Sequence, residues 1–160
     1  MDQDQSFEEK TRQVFHKIHL DHLSDPHVRD RHSNLIEPAI MGLPDDYFDG
    51  LICGDIGCGS AVHGTVNLLS LDAAYVHALD LDESFIEPAQ QRLSDNRAFN
   101  DRWALDVGSL MALPYDQGSF DFIICAGVIH HVSDDRRAIR EIYRVSVSYT
   151  HLTLQTSDLV

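Results

Sequence analysis

The sequence predicts an α/β fold built on a doubly wound, mostly parallel sheet. Three observations lead there. Between residues 51 and 145, short apolar runs suited to strands alternate with longer stretches of helical periodicity. The first run ends in a glycine-rich turn, Asp55-Ile56-Gly57-Cys58-Gly59-Ser60. The second ends in two acids, Asp80 and Asp82. Strands that alternate with helices are joined by right-handed crossovers, which makes their sheet parallel.

The elements follow in order. Ser6-Phe7-Glu8-Glu9 reads as a capping box, with Ser6 as N-cap and Glu9 at the third helical position. Phe7, Val14, Phe15, Ile18 and Leu23 recur near helical spacing and predict an amphipathic helix over 7–23, stopped by Asp25-Pro26. A second short helix is expected over about 28–40, before the turn chemistry of Gly42-Leu43-Pro44-Asp45. Leu51–Asp55 reads as a buried strand and 61–71 as a helix. Tyr75–Asp80 is the second strand, 83–93 its helix, and Trp103–Val107 the third strand. A turn at 114–118 leads into a fourth strand over 121–127. The last helix, 136–145, places Ala138, Ile139, Ile142 and Tyr143 on one face.

Composition narrows the function. The 160 residues amount to one domain, and a formal net charge of -14, from 12 basic and 26 acidic side chains, argues against a nucleic-acid partner. It suits a small or cationic ligand. No apolar run approaches the roughly 18 residues of a membrane span, and the acidic N-terminus does not read as a signal peptide. No membrane partner is expected. Cys53, Cys58 and Cys125 form an odd set, which points to reduced thiols, a cytoplasmic location and a role as small buried hydrophobes. His16, His19 and His22 are spaced by three, with His27 and His32 beyond. His16 and His22 diverge by about 120° on a helix. They read as a solvated face beside a lid, and no metal is expected.

The chemistry concentrates at the strand ends. In an open parallel sheet, ligands bind outside the carboxyl ends of the strands. Gly57 and Gly59 permit a tight turn there and let ligand atoms approach the backbone. A dinucleotide would set a pyrophosphate on the following helix. Asp55 opposes that, because its carboxylate repels phosphate and attracts a cation such as a sulfonium; it also suits capping of the glycine turn. Asp80 lies 23 residues after Gly57, where an acid accepts ribose hydroxyls. Asp82 suits a helix cap.

These residues carry a resemblance. Asp55-Ile56-Gly57-Cys58-Gly59-Ser60 resembles the first motif of class I S-adenosylmethionine-dependent methyltransferases, and Ala78-Leu79-Asp80 their second. The segment 108–115 is similar to the stretch beside the adenine. Residues 118–132 are similar to the fourth-strand region, and 141–145 to the helix after it. The resemblance covers about 50–145 in order. It implies a Rossmann-like fold with strand order 3-2-1-4, later strands missing and an N-terminal helical lid, S-adenosylmethionine as cofactor, and methyl transfer to a small-molecule substrate. It further implies that Asp55, Gly57 and Gly59 hold the methionine moiety, Asp80 the ribose, and Leu81 one face of the adenine. Ser109 and Leu110 border its far side, and Cys58 and Ala126 join the cofactor-binding set. Two positions depart from the pattern. Ala61 replaces the third glycine of the loop, and Ser109 stands where many members carry an acid, which leaves the adenine amine to the backbone at Ser109 and Leu110. Asp106 falls three residues too early. His130 and His131 are candidates for a base, since imidazole titrates near neutral pH; packing or substrate contact competes with that role. Methyl transfer mainly needs in-line positioning, so the catalytic set can be empty.

The resemblance divides the chain into a helical lid over 1–48, a cofactor-binding domain over 49–145, and a tail over 146–160. Residues 147–156 are similar to the in-frame translation of a transposase sequencing adapter, so the tail is expected to be non-native. Its alternating pattern could still form a strand along the exposed edge of the fourth. Two other functions share the layout: an NAD-dependent oxidoreductase and a non-catalytic nucleoside-binding module.

Overall fold

The computed structural model describes residues 6–14, 16, 36–60, 62–99, 101–147 and 152–155. The expectations placed on Phe15, Ile18, His19, His22, Leu23, Asp25-Pro26, His27, His32, Ala61, residues 28–35 of the second helix, and 148–151 and 156–160 of the tail lie outside these residues. Helix α1 covers residues 6–14, and His16 is also helical. The capping box does not form as expected. Residue 6 is already helical, and the Glu9 carboxylate points forward to Arg12 and Gln13. A forward ion pair at i,i+3 competes for the oxygens that a cap would use.

A short helix α2, Pro38–Met41, precedes the sheet and ends at Gly42 in the left-handed conformation. The sheet elements then alternate as expected. They are β1 (Ile52–Ile56), α3 (His63–Ser70), β2 (Tyr75–Asp80), a 3-10 turn (Glu83–Phe85), α4 (Ile86–Ser94) and β3 (Trp103–Val107). β4 (Phe122–Ala126), a second 3-10 turn (Ile129–His131), α5 (Asp135–Val145) and β5 (Leu152–Gln155) complete it. The sheet order is β3-β2-β1-β4-β5. Every neighbouring pair is parallel, with Cys53 opposite Val76 and Gly54 opposite Ile123.

The order 3-2-1-4 agrees with the expectation, and the strand anticipated along the exposed edge of the fourth is present as β5. β5 pairs with β4 from Ile123–Leu152 to Ala126–Gln155. The reason is the edge itself: unpaired N–H and C=O groups along β4 recruit any extended segment within reach.

Alternation within the strands sends side chains to two cores. One face buries Phe48, Cys53, Val76, Phe122 and Ile124 against Leu68 and Leu69 of α3 and Leu93 of α4. The other buries Ile56, Leu79, Ile123 and Cys125 against Ala138, Ile142 and Val145 of α5. Each large apolar side chain buried this way contributes about 1.5–3 kcal/mol. The face expected of α5 is therefore narrower than its four apolar residues suggest. Ala138 and Ile142 are buried, while Ile139 and Tyr143 are exposed. Asp134 starts this helix by accepting the Arg137 N–H at 2.9 Å.

Candidate functional site

The turn after β1 is fixed by its own backbone. Gly57 and Gly59 adopt φ of +79° and +58°, the region that favours glycine. The N–H groups of Gly57 and Cys58 both donate to the Leu79 carbonyl, at 2.7 and 3.1 Å. The Gly59 N–H donates to Asp80 Oδ2 at 2.8 Å. A Cβ at Gly57 would lie 2.2 Å from Cγ2 of Val128, so the turn is pressed against the loop that follows β4.

Asp55 lies beneath this turn, 4% exposed. Its Oδ2 accepts both the N–H and the hydroxyl of Thr65, each at 2.7 Å. A Cβ at Gly64 would meet the same carboxyl group at 2.8 Å. Asp55 thus anchors the first turn of α3, which begins at His63 rather than at 61. Burial pushes its carboxyl up to about 6; the Thr65 bonds pull it down and the Asp80 charge adds to the rise.

Above the turn opens a cleft of about 170 Å³. Each strand end contributes to it. Ile56 and Gly57 come from β1, residues 79–82 from β2, 108–110 from β3, and 126–128 from β4. A Cβ at Gly127 would meet nothing within 4 Å, so bare backbone lines the cleft there. Asp80 turns its other oxygen, Oδ1, to the Asp82 N–H at 3.0 Å. Asp82 caps the 3-10 turn, accepting from the Ser84 N–H at 3.0 Å and the Ser84 hydroxyl at 2.7 Å. Burial pushes the Asp82 carboxyl up, but the bonds from Ser84 and His16 outweigh it and the net direction is down.

Helix α1 lies across the mouth and touches the loops after three strands. His16 Nδ1 stands 3.0 Å from Asp82 Oδ2, and its ring stacks on Phe85 at 6.0 Å between centroids. Arg12 approaches Asp82 at 3.9 Å. The Thr11 hydroxyl donates to the His131 carbonyl at 3.3 Å. The Ser109 hydroxyl donates to a Glu8 oxygen.

The structure brings together Gly57, Asp80, Leu81, Ser109, Leu110 and Ala126, with His131 beside them. Cys58 and Gly59 belong to the turn but do not line the cleft, and Asp55 acts from below. His131 faces the cleft and His130 does not. Their rings are 3.7 Å apart, and burial first, then the His130 charge, lowers the His131 imidazole's affinity for a proton. Asp106 is taken by the Tyr115 hydroxyl at 3.0 Å. Cys53 and Cys125 are buried, and burial pushes both thiols up to about 12.

Sequence reasoning missed Glu8, Thr11, Arg12 and Phe85. Glu8 reaches Ser109 across 101 residues of chain, and no local pattern signals such a contact. Among the described lining residues the one Lys or Arg is Arg12, and it leans on Asp82. A carboxylate beside a bare turn, flanked by leucines, suits a cationic nucleoside. It offers no cluster of bases for a pyrophosphate.

Comparison with known proteins agrees with this chemistry. The chain is 31% identical over 112 residues to norajmaline N-methyltransferase of Rauvolfia serpentina, covering 64% of this chain and 37% of that protein. It is 26% identical over 145 residues to demethylmenaquinone methyltransferase of Geobacillus sp. (strain WCH70), covering 88% of this chain and 60% of that one. The chain thus spans between about a third and three fifths of these relatives. An S-adenosylmethionine-dependent methyltransferase from Mesorhizobium loti superposes with a TM-score of 0.61 at 27% identity, over 74% of this chain and 52% of that one. The profile of the methyltransferase domain family matches residues 54–148. From the glycine turn to the end of α5, this chain belongs to the methyltransferase domain family.

Proposed function

We propose that this chain binds S-adenosylmethionine and serves methyl transfer to a small-molecule nucleophile. The observation that carries the reading is the placement of Asp80. Its carboxylate lines the cleft between the bare Gly57 turn and the leucine-lined end of β3. When bound, the cofactor supplies a methyl group on a cationic sulfur. The chain's own residues do the rest by holding and shielding. Asp80 accepts the ribose hydroxyls. The bare backbone at Gly57 borders the methionine arm, with Ala126 opposite, while Cys58 and Gly59 shape the turn behind it. Leu81 and Leu110 sandwich the base, and Ser109 borders its edge. Asp55 does not touch the ligand. It keeps the turn and α3 in place and sets negative charge beneath the sulfonium, where a buried charge is weakly screened.

Helix α1 acts as the lid that keeps water from the reacting atoms. His131 serves as a substrate contact, and positioning rather than a dedicated base drives the transfer. The excess of 26 acidic over 12 basic residues supports a small acceptor over a nucleic acid. The free thiols support a reducing, cytoplasmic setting. We read residues 146–160 as adapter-derived; genomic reads that cross codon 146 and encode the same residues would overturn that.

Calorimetric titration with S-adenosylmethionine and with NAD tests the binding reading. Saturable binding of the first and none of the second is expected, and tight NAD binding with no response to S-adenosylmethionine overturns it. Transfer of labelled methyl by the product of the uninterrupted gene tests the activity.

A further inference from the structure

We propose that Glu8, carried on α1, accepts the exocyclic amine of the bound nucleoside's purine, so that the lid itself reads the base. The inference rests on the proposed binding of S-adenosylmethionine. β1, β2 and β3 lie side by side in that order, and their ends step across the cleft at about 4.8 Å each. Gly57 follows the first, Asp80 ends the second and Ser109 follows the third. A ribose held at Asp80 with its sulfur-bearing arm toward Gly57 must extend its base toward Ser109.

That end of the cleft is walled by Gly108 and Leu110, and its polar groups are mostly engaged. Asp82 accepts from Ser84 and pairs with His16. The Thr11 hydroxyl donates to the His131 carbonyl. The Ser109 oxygen accepts the Met111 N–H at 3.1 Å, and the hydroxyl's one hydrogen goes to Glu8. The Ser109 hydroxyl therefore has no hydrogen to offer a ligand and serves to aim Glu8. Among the described residues Glu8 has no second partner, so its other carboxylate oxygen is left to accept. A carboxylate can only accept hydrogen bonds. A 6-amino purine presents N–H donors at that edge, whereas a 6-oxo purine presents an acceptor. Facing lone pairs then add rejection of the oxo base to attraction of the amino base.

The test is calorimetry on the 160-residue chain with S-adenosylhomocysteine and S-inosylhomocysteine, for wild type, Glu8→Ala and Glu8→Gln. Wild type is expected to favour the adenosyl ligand by about tenfold to a hundredfold, the size of a hydrogen bond to a charged acceptor. Glu8→Ala brings the ratio close to one. Glu8→Gln, whose amide can donate to the oxo group, moves the ratio toward the inosyl ligand. Wild type with no preference, or variants that keep its ratio, overturns the role of Glu8 alone. Wild type that binds neither ligand overturns the binding reading and this inference with it.

Discussion

Val128 closes on Gly57: the methyl Cγ2 stands where a side chain at residue 57 would begin, 2.2 Å from an ideal Cβ. The loop after β4 and the turn after β1 are in this way fitted to one another. Gly57→Ala is expected to destabilise the fold by about 1–3 kcal/mol, from the positive φ and the clash together. Adding Val128→Ala should recover the part due to the clash and leave the part due to φ. Chemical denaturation of the single and double variants checks this. Equal stability of wild type and Gly57→Ala would show that the contact does not matter.

Burial raises Asp55 to about 6, from an ordinary carboxylate value near 4. The folded state therefore holds this proton more tightly than the unfolded chain does. Stability from this group is fully present below about pH 4 and is lost as pH rises through about 6. The full cost above that window is on the order of 3 kcal/mol. Asp55→Asn should flatten the pH dependence of urea unfolding across this window and weaken binding of a sulfonium ligand. A variant that keeps the wild-type slope would assign the titration to another group.

Arg144 forks onto the loop after β3. It donates to the carbonyls of Tyr115 and Leu113 at 2.7 and 2.9 Å and pairs with Glu141 at 2.7 Å. Glu141 in turn accepts the Leu113 N–H at 2.9 Å. Lysine cannot reproduce this fork. Arg144→Lys is expected to cost about 1–3 kcal/mol. It should also speed hydrogen exchange at Leu113. Unchanged exchange there would mean that the loop holds itself.

His16 ties α1 to Asp82 and Phe85. His16→Ala should weaken docking of the helix by about 1 kcal/mol, as partly exposed pairs do. Limited trypsin digestion at Arg12 should then quicken, while the unfolding midpoint of the sheet moves little. Digestion at the wild-type rate would place the hold elsewhere along the helix.

The sheet was legible because its strands are short apolar runs cut by glycine and aspartate. Tyr75–Asp80 and Trp103–Val107 have the bounds their residues suggest. Helix starts were less legible. α3 begins at His63, after Val62 in the left-handed conformation, and Asp55 holds its first turn through Thr65, a contact across ten positions that periodicity does not carry. α5 shows the same limit, since helical spacing marks Ile139 and Tyr143 as apolar but not as covered. On the site, the turn and Asp80 were readable from one stretch of chain each. The contributions of Glu8, Thr11 and Arg12 depend on where α1 comes to rest, which is a tertiary fact.

The two sides of the cleft differ in how they are held. The glycine turn is braced by Leu79 and Asp80 through three backbone donors, so a guest arriving there finds its seat already shaped and forfeits little freedom in taking it. Asp80 is a brace, and in the proposed binding mode it is also the grip. Deleting its carboxylate would slacken the seat and remove the handhold in one stroke, whereas an amide in its place could keep the seat and weaken only the handhold.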